Sequence, residues 1–340
     1  MNTFIHKLSK AYVQVFRTHP ENYQQLPGSG SARTYIRFSH PEYKVLGVYH
    51  PCVEENKAFI NYTHQLRNLH VPVPKVWEIP GEEYYYFVED LGTETLLTWL
   101  ERERTQGTWP AEATERYKKV ITELAHAQIV AGASFDYSFA HPVAHFNRQS
   151  MRWDLDYFKY YFVKRAGVKF NEYQLEVSFT HLLERISSVD AEYFMFRDFQ
   201  ARNILFTNDT PWFIDYQGGR KGPLQYDLVS LLYQAKARIP EPVRHQLILH
   251  YLKEASQYTS LNQEAFVNDL YPIALLRNLQ TLGAYGLRGS IEKKSHFIES
   301  IPQAVENTEK LILLSGLQED LSEIVKIIEQ VNPENFMTHE

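Results

Sequence analysis

The segment Phe196-Arg197-Asp198-Phe199-Gln200-Ala201-Arg202-Asn203, followed by Ile214-Asp215-Tyr216, limits what the middle of this 340-residue chain can fold into. Asp198 and Asn203 lie five residues apart, and Asp215 comes seventeen after Asp198. Between them the sequence predicts a β-hairpin. Asn203 to Thr207 is apolar and β-prone, Asn208-Asp209-Thr210-Pro211 reads as the turn, and Trp212 to Ile214 as the returning strand. Closing that hairpin brings Asp215 back beside Asn203. One oxygen from each then suffices for Mg2+, a hard cation that keeps several waters and takes few protein ligands beside substrate phosphates. Asp198, just ahead of the hairpin, is left to orient and deprotonate an attacking hydroxyl. An Asp-x4-Asn spacing is common in itself, and an acid after a strand is often a plain turn former. Here, however, Asp215 ends an apolar pair, Phe213-Ile214, that a solvated turn would not need.

Length and composition exclude several function classes. A chain of 340 residues can bury a substantial core and is expected to form two lobes around a cleft. A net charge of −6 leaves no basic face for nucleic acid. The single cysteine, Cys52, rules out an intramolecular disulfide, and the fourteen histidines show no metal-ligand spacing. Phe4 to Phe16 carries its apolar residues at helical intervals, interrupted by Lys7 and Lys10. That is an amphipathic helix, with neither the h-region of a signal peptide nor the ~18 apolar residues of a membrane span. A reducing, cytoplasmic location follows as the simplest expectation, with no membrane partner. The 23 tyrosines and 20 phenylalanines are mostly core, with a surplus on which a sugar-stacking or cation-binding pocket can draw.

Along the chain, residues 22 to 90 read as strands with one helix beginning at Glu54-Glu55, two acids that suit a helix N-terminus. Leu26-Pro27-Gly28-Ser29-Gly30-Ser31-Ala32-Arg33 is a glycine-serine turn without the Gly-Lys-Ser/Thr of a Walker A loop. It is either a plain hairpin turn or a cover for nucleotide phosphates by backbone amides and the Ser29 and Ser31 hydroxyls. Tyr84 to Val88 is a buried strand leading into Glu89-Asp90-Leu91-Gly92, where the lobes divide: residues 1–90 on one side, 91–340 on the other. The rest is mostly helical, with helices expected near 111–131, 149–166, 174–188, 226–238, 241–256, 262–288, 300–315 and 318–331, and disorder after Asn332.

With these residues in place the chain resembles the aminoglycoside phosphotransferase and choline kinase superfamily, and within it the anomeric N-acetylmuramate/N-acetylglucosamine kinases of cell-wall recycling. The likeness rests on Arg197 to Leu205, Ile214-Asp215-Tyr216-Gln217, Gly222 to Leu232, Val88 to Gly92 and Arg277 to Gly283, and spans roughly residues 20 to 290. It implies an α+β, protein-kinase-like two-lobe fold with a small antiparallel β lobe and a larger helical lobe. It further implies ATP and Mg2+, a monomer acting on a small-molecule sugar, Asp198 as catalytic base with Arg202 beside it, and Asn203 and Asp215 as metal ligands. Asp227 would brace the catalytic loop; as an acid in a helix's first turn it also suits the helix dipole without any such role. Glu89 and Leu91 would meet the adenine through their backbone, although a simple strand-to-helix turn fits the same residues.

Two departures stand out. Phe196 replaces the histidine usual two residues before the base. No lysine lies inside the strand Lys44-Val45-Leu46-Gly47-Val48-Tyr49, which leaves Arg33 or Arg37 to supply charge to the phosphates. On the acceptor side, Met151 to Phe162 packs aromatics and two acids into one helix, and Asp154 is expected to bind sugar hydroxyls. Arg277 would reach a substrate carboxylate or N-acetyl oxygen, or else brace Asp227 or a helix end. Rival readings are a choline- or aminoglycoside-type kinase and a catalytically inactive binding protein.

Overall fold

The computed structural model describes residues 2–28, 33–105 and 107–336. Its first part is a five-stranded sheet in the order β1-β2-β3-β5-β4, built from β1 (Asn22–Gln25), β2 (Thr34–Ser39), β3 (Val45–Tyr49), β4 (Val76–Glu78) and β5 (Tyr85–Glu89). Every pairing is antiparallel. Alternation along the strands gives the sheet two apolar faces, each covered by one helix. On one face α1 (Asn2–Phe16) lays Leu8, Tyr12 and Phe16 against Ile36, Phe38, Val45 and Phe87. On the other, α2 (Val53–Asn68) brings Phe59, Tyr62 and Leu66 to Val48, Tyr86 and Val88, and this core continues into the helical part.

The helical part comprises α3 (Leu96–Glu103), α4 (Ala113–Ala125), α5 (Arg148–Phe158), α6 (Lys164–Ala166), α7 (Glu172–Ser187), α8 (Leu224–Leu232), α9 (Glu241–Ala255), α10 (Gln263–Tyr285), α11 (Ser295–Ile298), α12 (Ile301–Ser315) and α13 (Ser322–Gln330). Two small antiparallel ribbons join it, β6 (Tyr193–Met195) with β9 (Arg220–Gly222), and β7 (Ile204–Thr207) with β8 (Thr210–Phe213). The expected helices are present, but the one expected over 226–238 stops at Leu232 and is followed by a separate 3-10 turn at Ala235–Ala237. Pro272 does not break α10, which runs on and into a π-helical segment at Gly286–Ile291. That segment closes on the π-helical Lys159–Val163 stretch after α5. Gly286 is what permits the approach, because a Cβ there would overlap the carbonyl oxygen of Tyr161.

The expected disorder after Asn332 is corrected in part. Pro333–Phe336 forms a 3-10 turn whose Phe336 ring is buried on Phe162, 4.9 Å between centroids, so one aromatic residue ties down a polar tail. Among the described residues no helix is long and apolar enough to cross a membrane.

Candidate active site

The loop from Phe196 to Asn203 links β6 to β7 and is held from below by one buried carboxylate. Asp227, in the first turn of α8, accepts the backbone N–H of Phe196 at 2.7 Å and that of Arg197 at 3.0 Å. Both bonds require the two amides to converge, and Arg197 sits at φ +78°, a left-handed conformation rare outside glycine. Burial pushes the Asp227 carboxyl up to about 7 despite its backbone donors. Phe196 is buried and packs edge-on to Phe194 (4.9 Å) and Phe213 (5.5 Å) and tilted against Phe199 (5.0 Å). Aromatic packing thus supports the loop where a histidine would have used a hydrogen bond.

The hairpin is tighter than the sequence suggests. Asn208 (φ +50°) and Asp209 (φ +65°) make a two-residue turn, the geometry whose twist matches the flanking strands, and Thr210 and Pro211 belong to β8. Ile204 pairs with Phe213, and the Ile214 N–H donates to the Asn203 carbonyl at 3.0 Å. Asp215 follows directly, also at positive φ (+65°).

The structure therefore brings Asp198, Asn203 and Asp215 together. Asn203 Nδ2 donates to the Asp198 carbonyl at 2.9 Å and lies 3.3 Å from Asp198 Oδ2 and 3.4 Å from Asp215 Oδ2. Gln217 Nε2 donates to Asp215 Oδ1 at 2.9 Å. The carboxylate of Asp198 is ringed by donors: Gln200 Nε2 at 2.5 Å, Arg202 Nη2 at 2.8 Å and Arg277 Nη2 at 3.0 Å. Burial works to raise its pKa, but the Arg202 and Arg277 guanidiniums overcome this and hold it below the usual carboxylate range. The Asn203 carboxamide oxygen and the Asp215 carboxylate are hard donors of the kind Mg2+ takes, too few to bind it without phosphate oxygens.

Three further residues singled out in the sequence make internal contacts. Asp154 lies within α5. It is 4% exposed, and Arg197 donates to it twice, at 2.8 and 2.6 Å, because the positive φ of Arg197 turns that side chain into α5. Arg197 also donates to the Tyr226 hydroxyl at 2.7 Å and lies over the rings of Phe146 and Tyr226. Arg277 likewise spends its donors inside the protein, on Asp198, on Ser230 (2.9 Å) and on Gln280 and Thr281 one turn further along α10. Arg37 is paired through two bonds, 2.5 and 3.0 Å, with Asp90 just after β5.

The remaining expectations fall on the nucleotide side. Glu89 and Leu91 are half-buried on that connector, and the Glu89 carboxylate accepts the Lys75 N–H at 2.9 Å. Gly28 is exposed at the start of the glycine turn; Ser29, Gly30 and Ser31 lie outside the described residues. Arg33 is 4% exposed and donates to Glu55 of α2 at 3.1 Å. Sequence reading passed over Arg197, Gln200 and Glu55. The signal for Arg197 was Asp154 itself, an acid on an apolar helix stripe that needs a cation.

The fold and this loop define a kinase-like phosphotransferase, a small antiparallel β lobe joined to a larger helical lobe with a carboxylate-amide-carboxylate cluster between them. Residues 22–262 match the model of the phosphotransferase enzyme family (APH), and the chain belongs to that family. Curated relatives include the N-acetylmuramate/N-acetylglucosamine kinase of Pseudomonas aeruginosa, 22% identical over 90% of this chain and 88% of the relative. The protein of the same name from Neisseria meningitidis is 25% identical over 68% of each chain. Solved structures with the same fold include amicoumacin kinase in complex with AMP-PNP and Ca2+, with TM-score 0.63 and 10% identity over 95% of both chains. Choline kinase from Cryptosporidium parvum matches with TM-score 0.60 and 14% identity, covering 97% of this chain and 100% of that one. The protein is thus a phosphotransferase that uses an alcohol group of a small molecule as acceptor.

Proposed function

We propose that this protein transfers the γ-phosphoryl group of ATP to an N-acetylated amino sugar, at its anomeric hydroxyl. The observation that carries the reading is the charge around Asp198. Two guanidiniums, Arg202 and Arg277, bond its carboxylate, and Asp154 on α5 is paired with Arg197. Such a site suits a neutral or anionic acceptor; choline or an aminoglycoside would call for carboxylates or an aromatic cage free of competing cations. The curated relatives named as N-acetylmuramate/N-acetylglucosamine kinases support the same choice.

In this reading residues 1–90 form the nucleotide lobe and residues 91–340 carry the catalytic loop and the acceptor. ATP lies in the cleft with its adenine at Glu89 to Leu91. Asn203 and Asp215 hold Mg2+ together with the phosphates, and the ion supplies neutralisation of phosphate charge. Asp198 orients the sugar hydroxyl and takes its proton late. A depressed pKa suits that role, since in a loose transition state the attacking oxygen loses its proton only after most of the bond to the leaving group is broken. Arg277, buried and fixed by Ser230, keeps Asp198 aimed. Arg202 is the more exposed of the two and is placed to turn from Asp198 toward the transferring phosphoryl. The enzyme acts as a cytosolic monomer.

The test is the product. With N-acetylmuramate or N-acetylglucosamine and ATP, the expected product is an acid-labile sugar 1-phosphate showing coupling between phosphorus and the anomeric proton in NMR. The methyl glycoside of the same sugar should be inert. A stable 6-phosphate, or faster turnover of choline, would overturn the acceptor assignment.

A further inference from the structure

We propose that Arg220 binds a carboxylate carried by the sugar acceptor, so that the enzyme takes an acidic N-acetylated amino sugar in preference to a neutral one. The inference rests on the kinase reading and deepens it by naming the charge of the acceptor. Arg220 opens β9 and pairs with Met195 of β6, three residues before Asp198. Its side chain curls back along the chain: Nε donates to the Gly218 carbonyl at 2.9 Å and Nη2 to that of His141 at 3.2 Å. Gly218 lies three residues beyond Asp215 and packs on the Arg197 side chain, whose Cβ is 3.7 Å from where a Cβ on Gly218 would sit. The guanidinium is thus held where the catalytic loop, the turn after Asp215 and the segment leading into α5 meet.

What sets Arg220 apart is the lack of a counter-charge. It is 6% exposed, yet both of its hydrogen bonds go to carbonyl oxygens, and no carboxylate among the described residues pairs with it. The other arginines around the loop, Arg197, Arg202 and Arg277, each bond an acid. Asp154 acts on Arg220 through its charge but is committed to Arg197 by two bonds, so two guanidiniums share one carboxylate. Burial, with the charge of Arg197 added to it, pushes the Arg220 pKa down to about 10, which leaves a cation at pH 7. The hydroxyls of Tyr226 and Tyr62 also bear on it and cannot balance it. A charge taken out of water is costly unless it is paired.

An arriving carboxylate supplies both the missing charge and the missing acceptors. A guanidinium has five N–H donors, of which two are used here. Nη1 has no partner among the described residues and is not sealed from solvent. Arg277, the arginine that the sequence offers for such a carboxylate, is bonded instead to Asp198, Ser230, Gln280 and Thr281. The acceptor is the ligand suited to this place, because its reacting hydroxyl lies at Asp198 and a substituent a few bonds away on the same ring can turn toward β9. The nucleotide comes from the connector, on the other side of Asn203 and Asp215.

Steady-state kinetics of the full chain with N-acetylmuramate, which carries a carboxylate, and N-acetylglucosamine, which does not, tests this. Arg220→Met should lower the ratio of kcat/KM for the acidic sugar to that for the neutral one about 10- to 100-fold, the worth of charged hydrogen bonds, and chiefly through KM. Arg220→Lys should restore part of the ratio, since an ammonium keeps the charge and loses the planar fork. A second reading needs no variant: with the wild type, the carboxamide analogue of N-acetylmuramate should lose about as much as Arg220→Met loses with the acid. If Arg220→Met leaves the ratio unchanged, because both sugars suffer alike or neither does, or if the wild type turns over acid and amide equally well, the inference fails while the kinase reading survives. A loss that appears instead in the calorimetric affinity for Mg-ATP would also overturn it and assign Arg220 to the phosphates. A wild type that phosphorylates neither sugar removes both readings.

Discussion

Replacing Asp154 with asparagine separates a residue that binds sugar from one that positions the catalytic loop. The pair it forms with Arg197 is bidentate, at 2.6 and 2.8 Å, with Asp154 nearly inaccessible and the Arg197 side chain 23% exposed. Breaking a buried pair by removing one partner costs about 3–5 kcal/mol when the other charge is abandoned. Arg197 is not abandoned, because it keeps the Tyr226 hydroxyl at 2.7 Å and the faces of two rings. Each ring contact is worth about 0.5–2 kcal/mol, and asparagine retains one acceptor, so the expected loss of stability is about 2 kcal/mol. Urea unfolding should show it as a lower midpoint with unchanged slope. The kinetic signature is the sharper test. Arg197 immediately precedes Asp198, so a loosened Arg197 misplaces the base, and a displacement near 1 Å costs about 100-fold in turnover. The expected result is a kcat reduced roughly 10- to 100-fold with the sugar KM nearly unchanged. A double-mutant cycle with Arg197→Met should give a coupling of about 1–3 kcal/mol. A raised sugar KM with stability unchanged within about 0.5 kcal/mol would refute the reasoning and return Asp154 to the acceptor pocket.

Two further outcomes follow from the loop. Asp198→Asn should lower turnover about 10²- to 10⁴-fold while Mg-ATP affinity changes little, as expected for a positioned base, and near wild-type turnover would mean that the proton leaves by another route. Asp227 has a folded-state pKa of about 7, raised by burial from an ordinary carboxylate value near 3.9, so its contribution to stability is complete below about pH 4 and is lost as pH rises through about 7. Unfolding midpoints should thus fall across that window in the wild type and fall less in Asp227→Asn; the same slope in both would exclude Asp227 as its source.

Much of this arrangement is legible in the sequence, and what is not has a common cause. The spacing of Asp198, Asn203 and Asp215 around an apolar hairpin predicts their meeting, because a tight turn leaves the chain no other route. The two faces of the sheet and the amphipathic α1 follow from period and composition. Contacts between distant segments do not. Asp154 and Arg197 are 43 residues apart in sequence, and Arg277 and Asp198 are 79 apart. Each side chain taken alone is a charge on an apolar helix or beside a base, equally suited to a ligand or to an internal partner. Only the packing of α5 and α10 on the loop brings each to its internal partner. Arg33, just before β2, and Arg37 within it show the same ambiguity; one pairs with Glu55 of α2 and the other with Asp90 of the connector.

The loop also shows how one feature of the backbone does two jobs. A positive φ at a residue with a side chain costs about 1–2 kcal/mol, and Arg197 and Asp215 both adopt one on either side of the hairpin. At Arg197 that conformation points two successive amides the same way, forming a concavity that fits an anion, and the anion is the carboxylate of Asp227. The same rotation sends the arginine side chain into α5, away from Asp198. Were Arg197 in an ordinary helical or extended conformation, the two amides would no longer converge on Asp227 and the loop would lose that brace. The strain therefore sets the position of the loop that carries Asp198, and the buried pair with Asp154 fixes the arginine side chain on α5.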